Sequence, residues 1–350
     1  APDPGSNGLA FFTWSAAVDQ VKSHITAFER KTGLKINYAN FPFAQYRETM
    51  VTRLVGNAPL DVMWVSDAWL PEWAEAGWLA PIDDMPGLTK YNAEVDQFCN
   101  QSMVYKGKQY GLTYYADHMS FMYDAEKLQR AGIAAPPAAW DEVTEQALRI
   151  KRAGISEFPV MLALAHESWQ IEFISAMVFS HGGRFVDDQG AAMMADAQRG
   201  ALPALKWVHD AIHVHKIVSP GAIETGELAG LKAVSGGAHA FSVTPRYRIR
   251  TLNDPAQSQV AGRVRIALMP RGRSGGHDTV GWIRFYGMTP ATKRDPRRAE
   301  NAAKLIEWFG GRDDKGYTFQ KLLLLDLGVP FCVKPLNDDA DVVAHNNKWA

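Results

Sequence analysis

Aromatic residues that could bind a sugar are the first feature of this sequence. It contains 11 Trp, 11 Tyr and 16 Phe, and several Trp stand beside turn or polar residues, where a core would seldom place them. The axial C–H groups of a pyranose stack on an aromatic ring, while its hydroxyls bond to Asp, Asn, Arg or backbone groups. The pattern favours rings that are presented to a ligand, with core packing as the alternative for any single Trp.

Patterns for metal, phosphate and nucleophile chemistry are incomplete. His209, His213 and His215 include an i, i+4 pair that could share a metal, but no carboxylate set accompanies them. The segments Ser235–Gly237 and Gly272–Gly276 lack the Gly-Lys-Ser/Thr ending of a phosphate-binding loop. No local motif indicates a Ser-His-Asp or Cys-His framework. We expect no metal, no cofactor and no catalytic residue.

Alternating strands and helices would position the first aromatic residues. The predicted strands are Leu9–Trp14, Leu34–Ala39 and Asp61–Val65, and the helices between them are Ala17–Lys31 and Tyr46–Val55. This βαβαβ order predicts a mostly parallel sheet covered by helices. Ligands bind beyond the carboxyl ends of such strands, where Trp14 and the segment Ser66–Trp69 would lie.

Later elements repeat the α/β pattern. The predicted strands are Gln109–Tyr115, Ser120–Tyr123 after a bend at Ala116–His118, Ala238–Val243, Val264–Met269 and Thr279–Met288. A helix is predicted to open at Trp140, with Asp141 as its N-cap. No repeat or linker divides the chain, so we expect connections that pass back and forth between two lobes.

Composition excludes several classes of protein. A chain of 350 residues exceeds what one core usually organises, and 47% hydrophobic with 21% charged residues is typical of a globular protein. Because 37 basic residues balance 38 acidic ones, nucleic acid and anionic membranes are not expected partners. The start at Ala1-Pro-Asp-Pro-Gly5 has no signal peptide, so an exported protein would have lost it. Cys99 and Cys332 suit either one disulfide or two buried thiols.

Short segments in a shared order carry a family resemblance. They are Leu60–Trp64, Trp73–Asp84, Gly107–Tyr115, Met122–Leu128, Gly132–Pro137 with Trp140–Glu142, Gly182-Gly183 with Asp187-Asp188, and Gly281-Trp282 ahead of Ala302-Ala303. In this order and spacing the chain resembles the family 1 extracellular solute-binding proteins of ATP-binding-cassette (ABC) importers. That group contains maltose-, oligosaccharide- and glycerol-phosphate-binding proteins.

The resemblance implies a fold and a division of the chain. The fold is α/β, of the periplasmic-binding-protein type II (maltose-binding-protein-like), with two lobes, central mixed sheets and a hinge. The implied N-terminal lobe is residues 1–111 plus 269–311, and the C-terminal lobe is residues 112–268 plus 312–350. The implied hinge crossings are Gly111–Tyr114, Ala267–Pro270 and Gly310–Asp314. A ligand cleft would lie between the lobes.

The resemblance also implies the site residues. The implied ligand-binding positions are Trp14, Asp67 and Trp69 in the first lobe, and Tyr115 and Asp117 after the first crossing. The second lobe would add Trp169, Thr244, Arg246 and Tyr247, and the chain would return to the first lobe with Gly281, Trp282 and Arg284. Two departures leave the ligand open: Val280 precedes Gly281 where many relatives have another glycine, and the turn Thr244–Tyr247 is particular to this chain. The chain also stops sooner after Pro330–Pro335 than many relatives do, so a short C-terminus and a processed one both remain open.

The charged candidates allow more than one chemistry. Asp67 and Asp117 could be the acid and base of a glycosidase, acceptors for sugar hydroxyls, or backbone caps. The planar guanidinium groups of Arg246 and Arg284 could bind a carboxylate or phosphate, grip neutral hydroxyls, or pair with those aspartates.

We expect a periplasmic binding protein in its mature form, without catalytic activity. It would capture a small carbohydrate or polyol by hinge closure, act as a monomer, and deliver the ligand to the membrane subunits of an ABC permease. The alternatives are a receptor for an anionic polyol or sugar acid and, from another class, a carbohydrate-active hydrolase.

Overall fold

The structure is a computed structural model that describes residues 8–167 and 169–348. The chain start that was considered for an export signal lies outside these residues. The strands are β1 (Gly8–Trp14), β2 (Lys35–Phe41), β3 (Val62–Ser66), β4 (Val104–Tyr105), β5 (Lys108–Gln109), β6 (Leu112–Asp124), β7 (Val160–Met161), β8 (Phe241–Pro245), β9 (Val264–Ala267) and β10 (Gly281–Met288).

Helices make up most of the remaining regular structure. They are α1 (Val18–Thr32), α2 (Phe43–Val55), α3 (Leu70–Glu75), α4 (Leu88–Glu94), α5 (Gln97–Gln101), α6 (Ala125–Arg130), α7 (Trp140–Arg152), α8 (Gln170–Ser180), α9 (Leu202–His213), α10 (Glu227–Ser235), α11 (Arg248–Asn253), α12 (Pro290–Arg294), α13 (Pro296–Gly310), α14 (Thr318–Leu327) and α15 (Ala340–Asn346). Short 3₁₀ helices cover Asp67–Trp69, Pro220–Glu224 and Lys334–Leu336. Among residues 8–167 and 169–348, no helix has the length and apolar character needed to cross a membrane.

The chain forms two compact units, each built from separate segments. Unit 1 takes the chain through Asp117 and then Trp282–His345, and unit 2 takes His118–Gly281 and the chain from Asn346 onward. The boundaries differ from the predicted 1–111 plus 269–311 and 112–268 plus 312–350. The assignment of residues 312–345 to the C-terminal lobe was wrong, because α14 packs on α1 and α13, which belong to unit 1.

The sheet of unit 1 has the strand order β2-β1-β3-β10-β6. β1 runs parallel to β2 and β3, which confirms the βαβαβ prediction, while β10 is antiparallel to β3 and makes the sheet mixed. Helix α1 covers it with a buried stripe of Val21, Ile25 and Phe28, the spacing that one helical face requires. Gly33 then ends α1 in the left-handed region at φ 71°, where a residue without a Cβ is favoured.

A buried carboxylate fixes the start of this sheet. Asp61, 3% exposed, accepts a hydrogen bond from the backbone N–H of Ala10 at 2.8 Å and is paired with Arg298 of α13 at 2.5 Å. Its other oxygen accepts from the hydroxyl of Thr292 at 2.8 Å. These contacts join β1, α12 and α13 to Asp61, the residue that precedes β3. They therefore hold β1 and β3 in a fixed position relative to each other.

Unit 2 contains a smaller mixed sheet. β6 pairs antiparallel with β8 and β9, and β8 pairs parallel with β7. Helix α7 buries Val143, Ala147 and Ile150 along one face, and the indole of Trp140 donates to Ser180 Oγ at 2.9 Å. Asp141 lies in the first turn of α7 and not at its N-cap, which is Ala139, so the predicted cap was two residues late.

β6 is one strand where two were predicted. The expected bend at Ala116–His118 is absent, since Leu112–Asp124 is continuously extended. The strand enters from unit 1 and continues into unit 2, where Met119 to Tyr123 pair with β8. Asp117 and His118, assigned to a turn in the sequence, are therefore strand residues.

Candidate functional site

Three tryptophans lie together at the carboxyl ends of β1 and β3. The rings of Trp14 and Trp64 stack at 5.3 Å with an interplanar angle of 27°, and Trp69 meets Trp64 edge-on at 5.3 Å. Trp64 is fully buried, whereas Trp14 and Trp69 are half-buried. We call these three residues the tryptophan cluster. Trp64 forms its base, and the other two residues keep part of their surface exposed.

Tyr114 of β6 joins this cluster to the sheet. Its hydroxyl oxygen accepts hydrogen bonds from the indole N–H of Trp64 at 2.6 Å and of Trp14 at 3.2 Å. Burial raises the pKa of Tyr114 well above its usual value, although the bond from Trp14 opposes this shift. The phenol is therefore neutral at physiological pH and fixes the orientation of both indoles.

An ion pair lies beside the cluster. Arg284 stands opposite Ser66 in the antiparallel pairing of β10 with β3, which places its side chain next to Asp67. Arg284 Nη1 donates to Asp67 Oδ1 at 2.9 Å, and Asp67 Oδ2 accepts the backbone N–H of Ile283 at 2.9 Å. The guanidinium also lies 5.7 Å from the centre of the Trp64 ring, a distance that gives a cation–π attraction.

Three more predicted residues of unit 1 are largely enclosed. The indole N–H of Trp282 donates to the hydroxyl of Tyr115 at 2.7 Å, and these residues are 5% and 6% exposed. Asp117 is 3% exposed. Trp282 and Tyr115 thus hold one another and present little ring area, in contrast to Trp14 and Trp69.

In unit 2 the predicted residues lie on three elements. Thr244 is buried on β8 opposite Ser120, and the backbone N–H of Arg246 donates to the carbonyl of His118 at 3.0 Å. Arg246 Nη2 also donates to the side-chain oxygen of Asn346 at 3.1 Å. Trp169, half-buried, immediately precedes α8, and Gly281 begins β10. Thr244 lies in β8, and Arg246 and Tyr247 follow the end of that strand, so their sequence positions keep these three residues close together.

Tyr247 contacts a charged network that the sequence did not reveal. The guanidinium of Arg248 lies 4.6 Å from the centre of the Tyr247 ring and covers one face. Arg248 donates to both oxygens of buried Glu227, at 2.7 and 2.9 Å. The backbone N–H of Glu227 in turn donates to Glu167 at 2.6 Å, two residues before Trp169. The network therefore connects the start of α11, the start of α10 and the loop before α8.

Sequence reasoning missed Trp64 and Tyr114 as members of the site. Both stand in runs that predict buried strands, and they are indeed buried, at 0% and 6% exposure. The only available signal was their position within one or two residues of predicted ligand-binding residues, Ser66–Trp69 and Tyr115. Trp64 stacks on Trp14, and Tyr114 accepts a hydrogen bond from it. These contacts join residues far apart in sequence, so a local sequence pattern does not predict them.

A cavity of about 670 Å³ lies elsewhere in unit 1, lined by residues of α1, α4 and α13. None of the predicted site residues lines it. Two of its charged pairs are formed within the unit, since Lys31 pairs with Asp314 at 2.5 Å and Arg312 pairs with Glu94 at 2.6 Å.

Within residues 8–167 and 169–348, no group of three or more His, Cys, Asp or Glu side chains is arranged to hold a metal ion. The rings of His209 and His213 lie 4.8 Å apart on α9, and His209 contacts Asp210. His209 is 65% exposed, which is typical of a hydrated surface.

The chain is similar in sequence and in structure to known binding proteins. A putative binding protein of Brucella abortus (strain 2308) is 23% identical over 290 residues, which are 82% of this chain and 67% of that protein. Among solved structures, maltose-bound MalE3 of T. maritima aligns with a TM-score of 0.81 at 19% identity, covering 97% of this chain and 85% of the other.

A second solved structure is the ABC transporter solute-binding protein of Agrobacterium vitis S4 with bound D-mannitol. It aligns with a TM-score of 0.74 at 21% identity and covers 97% of this chain and 81% of the other. At these identities the two structures establish the shared two-lobed α/β fold, of the type that was predicted. The family model described as bacterial extracellular solute-binding protein matches residues 13–316. The chain belongs to this family of bacterial extracellular solute-binding proteins.

Proposed function

We propose that this protein binds a neutral carbohydrate or polyol outside the cytoplasm and delivers it to an ABC importer. The observation that carries the proposal is the tryptophan cluster with the Asp67–Arg284 pair beside it. Half-buried Trp14 and Trp69 offer apolar faces for sugar C–H groups, and the neighbouring ions offer partners for hydroxyls. Relatives bound to maltose and to D-mannitol support this class of ligand.

The charge balance favours a neutral ligand. Arg284 is 8% exposed at its side chain and is paired with Asp67, so the guanidinium is already neutralised. An anionic ligand at this position would have to displace the carboxylate of Asp67, whose side chain is 18% exposed. Hydroxyl groups can instead bond to the outer lone pairs and N–H groups while the pair stays intact.

A receptor for a sugar acid or polyol phosphate is the second candidate. The observation that favours it is Arg246 of unit 2, whose guanidinium donates to a neutral amide oxygen of Asn346. A guanidinium forms stronger, bidentate bonds with a carboxylate or phosphate than with an amide. Binding of such a ligand would weaken strongly as ionic strength rises.

We propose that the protein has no hydrolase activity. An acid catalyst must hold a proton at the bond to be cleaved, but Asp67 accepts bonds at both oxygens from Arg284 and from the backbone of Ile283 and Ala68. These three donors occupy both oxygens of Asp67, so its contacts are those of a structural acceptor. An Asp67–Asp117 acid–base pair is therefore not supported.

Residues of both units are expected to contribute to ligand binding. We propose that Trp169, Thr244, Arg246 and Tyr247 of unit 2 supply the remaining contacts and that closure of the two units accompanies binding. Contacts made only in the closed state would shift the population toward it. The closed protein would then dock, as a periplasmic monomer, on the membrane subunits of the permease.

A thermal-shift screen of the purified protein tests the ligand class. The set contains neutral mono- and oligosaccharides, polyols, sugar acids and polyol phosphates, each at low and high salt. A ligand at 100 times its Kd stabilises the native state by about 2.7 kcal/mol, which raises the melting temperature measurably. We expect neutral compounds to do so at both salt concentrations. A response confined to anionic compounds would select the second candidate, and a response to none would refute both.

Substitutions then map the site by calorimetric titration of the ligand found. Trp14→Ala, Trp69→Ala and Trp169→Ala should each weaken binding about tenfold through the lost ring contact. Trp308→Ala is the matched control, because Trp308 is a half-buried tryptophan of α13 that stacks on His24 away from the site. Unchanged affinity in all three site variants would show that this assignment is wrong.

A further inference from the structure

The two cysteines of the chain lie close together within unit 1. Cys99 is in α5, Cys332 follows α14, and they are 3% and 6% exposed. The backbone N–H of Asp96 donates to the carbonyl of Cys332 at 2.8 Å, and Val95 forms an antiparallel bridge with Val333. Antiparallel neighbours have Cα atoms about 4.5–5.5 Å apart. One helical turn then carries the chain from Asp96, the N-cap of α5, to the buried Cys99.

Cys332 has Gln320 and Cys99 as neighbours. Its thiol donates to Gln320 Oε1 at 3.9 Å. Burial, and then the nearby thiol of Cys99, raise the pKa of Cys332 well above its usual value. Because the sequence contains two cysteines, only one intramolecular pairing exists.

We propose that Cys99 and Cys332 form a disulfide when the protein folds in an oxidising compartment. Two S–H bonds are broken and one S–S bond is formed, and the two electrons and two protons pass to the disulfide of an oxidant such as oxidised glutathione, which leaves as thiols. The bond ties the segment after α14 to α5. It closes a long loop, the case in which a cross-link restricts the unfolded chain most.

The same burial determines when the bond forms. The thiolate is the attacking species in exchange, and the raised pKa of Cys332 leaves little of it at neutral pH. Exchange in the native protein is therefore slow. Oxidation takes place during folding, before α5 and the segment after α14 enclose the sulfurs.

Oxidative refolding tests the proposal. Reduced protein is unfolded in urea and refolded in a mixture of reduced and oxidised glutathione. It is then denatured in the presence of iodoacetamide, which alkylates free thiols, and its mass is measured by mass spectrometry. We expect no alkylated cysteine, two alkylated cysteines once a reductant is added, and a monomer on a non-reducing gel. Two alkylated cysteines without reductant, a glutathione adduct or a disulfide-linked dimer would each overturn the proposal.

Stability provides an independent measurement. Wild-type protein refolded with glutathione should melt about 5 °C or more above the same protein refolded in a reductant. The control is the double variant Cys99→Ala/Cys332→Ala, which lacks both thiols and should melt at one temperature under both conditions. Equal behaviour of wild type and variant would contradict the disulfide, without bearing on ligand binding.

Discussion

Arg284 carries a positive charge in a nearly closed environment, and a single carboxylate balances it. The side chains of Arg284 and Asp67 are 8% and 18% exposed, so solvent can compensate little if one partner is removed. Breaking such a pair is costly because it leaves an unpaired buried charge. The pair therefore stabilises unit 1.

Asp67→Ala should lower the free energy of unfolding by about 3 kcal/mol. Urea titration followed by circular dichroism measures this quantity. The matched control is Asp188→Ala, which breaks an exposed pair with Arg184 at 2.9 Å and should have little effect. Equal losses in both variants would show that the buried position of Arg284 has no energetic consequence.

At the scale of elements, β6, β10 and α13 approach closely where two residues have no side chain. A Cβ on Gly111 would lie 2.3 Å from Cδ2 of Phe285 and 2.4 Å from the carbonyl oxygen of Tyr286. A Cβ on Gly310 would lie 2.7 Å from the carbonyl oxygen of Leu112. Both glycines were assigned to hinge crossings in the sequence, and in the structure both lie in unit 1, where they allow tight packing.

Gly111→Ala should destabilise the protein by about 1–3 kcal/mol, since β6 and β10 must separate to admit the methyl group. The control is Gly221→Ala, whose Cβ would lie 3.5 Å from Ser219 Oγ, an ordinary contact. Both variants are compared with wild type by urea denaturation. A Gly111→Ala protein as stable as wild type would show that the strands can move apart freely.

At the scale of the whole molecule, buried and half-buried histidines couple stability to pH. Burial lowers the pKa of His24 in unit 1 and of His181 and His239 in unit 2 below the usual 6.5, although backbone carbonyls oppose the shift. In the pH range just below 6.5 the unfolded chain therefore binds more protons than the native protein. Stability must fall as the pH drops through this range.

The melting temperature should thus decrease steadily from pH 7 to pH 5. Ion-paired carboxylates such as Glu94, whose pKa is lowered by Arg312, stabilise the native protein above about pH 4.5 and lose this contribution at lower pH. Their effect on the melting temperature is therefore separate from that of the histidines. Calorimetry of wild type and of His239→Gln measures the slope. The variant should show a smaller decrease than wild type. A constant melting temperature over this range would contradict the prediction.

The sequence by itself determined the alternation of strands and helices from Leu9 to Val65, and with it the position of Trp14 and Asp67 at strand ends. Apolar periodicity is set by a few neighbouring residues, so it can be recognised locally. The family resemblance predicted the fold class and named Arg284 as a ligand-binding residue. Pairing of its guanidinium with Asp67 was one of the roles that the sequence left open.

Only the tertiary structure decided which groups meet. Arg284 reaches Asp67 because β10 pairs antiparallel with β3 in one register, and Tyr114 reaches Trp14 because β6 lies in the same sheet. The segment that carries Cys332 joins unit 1 through its bridge at Val95. These contacts join residues far apart in sequence, and their register is set by the packing of the whole unit, which no local pattern records.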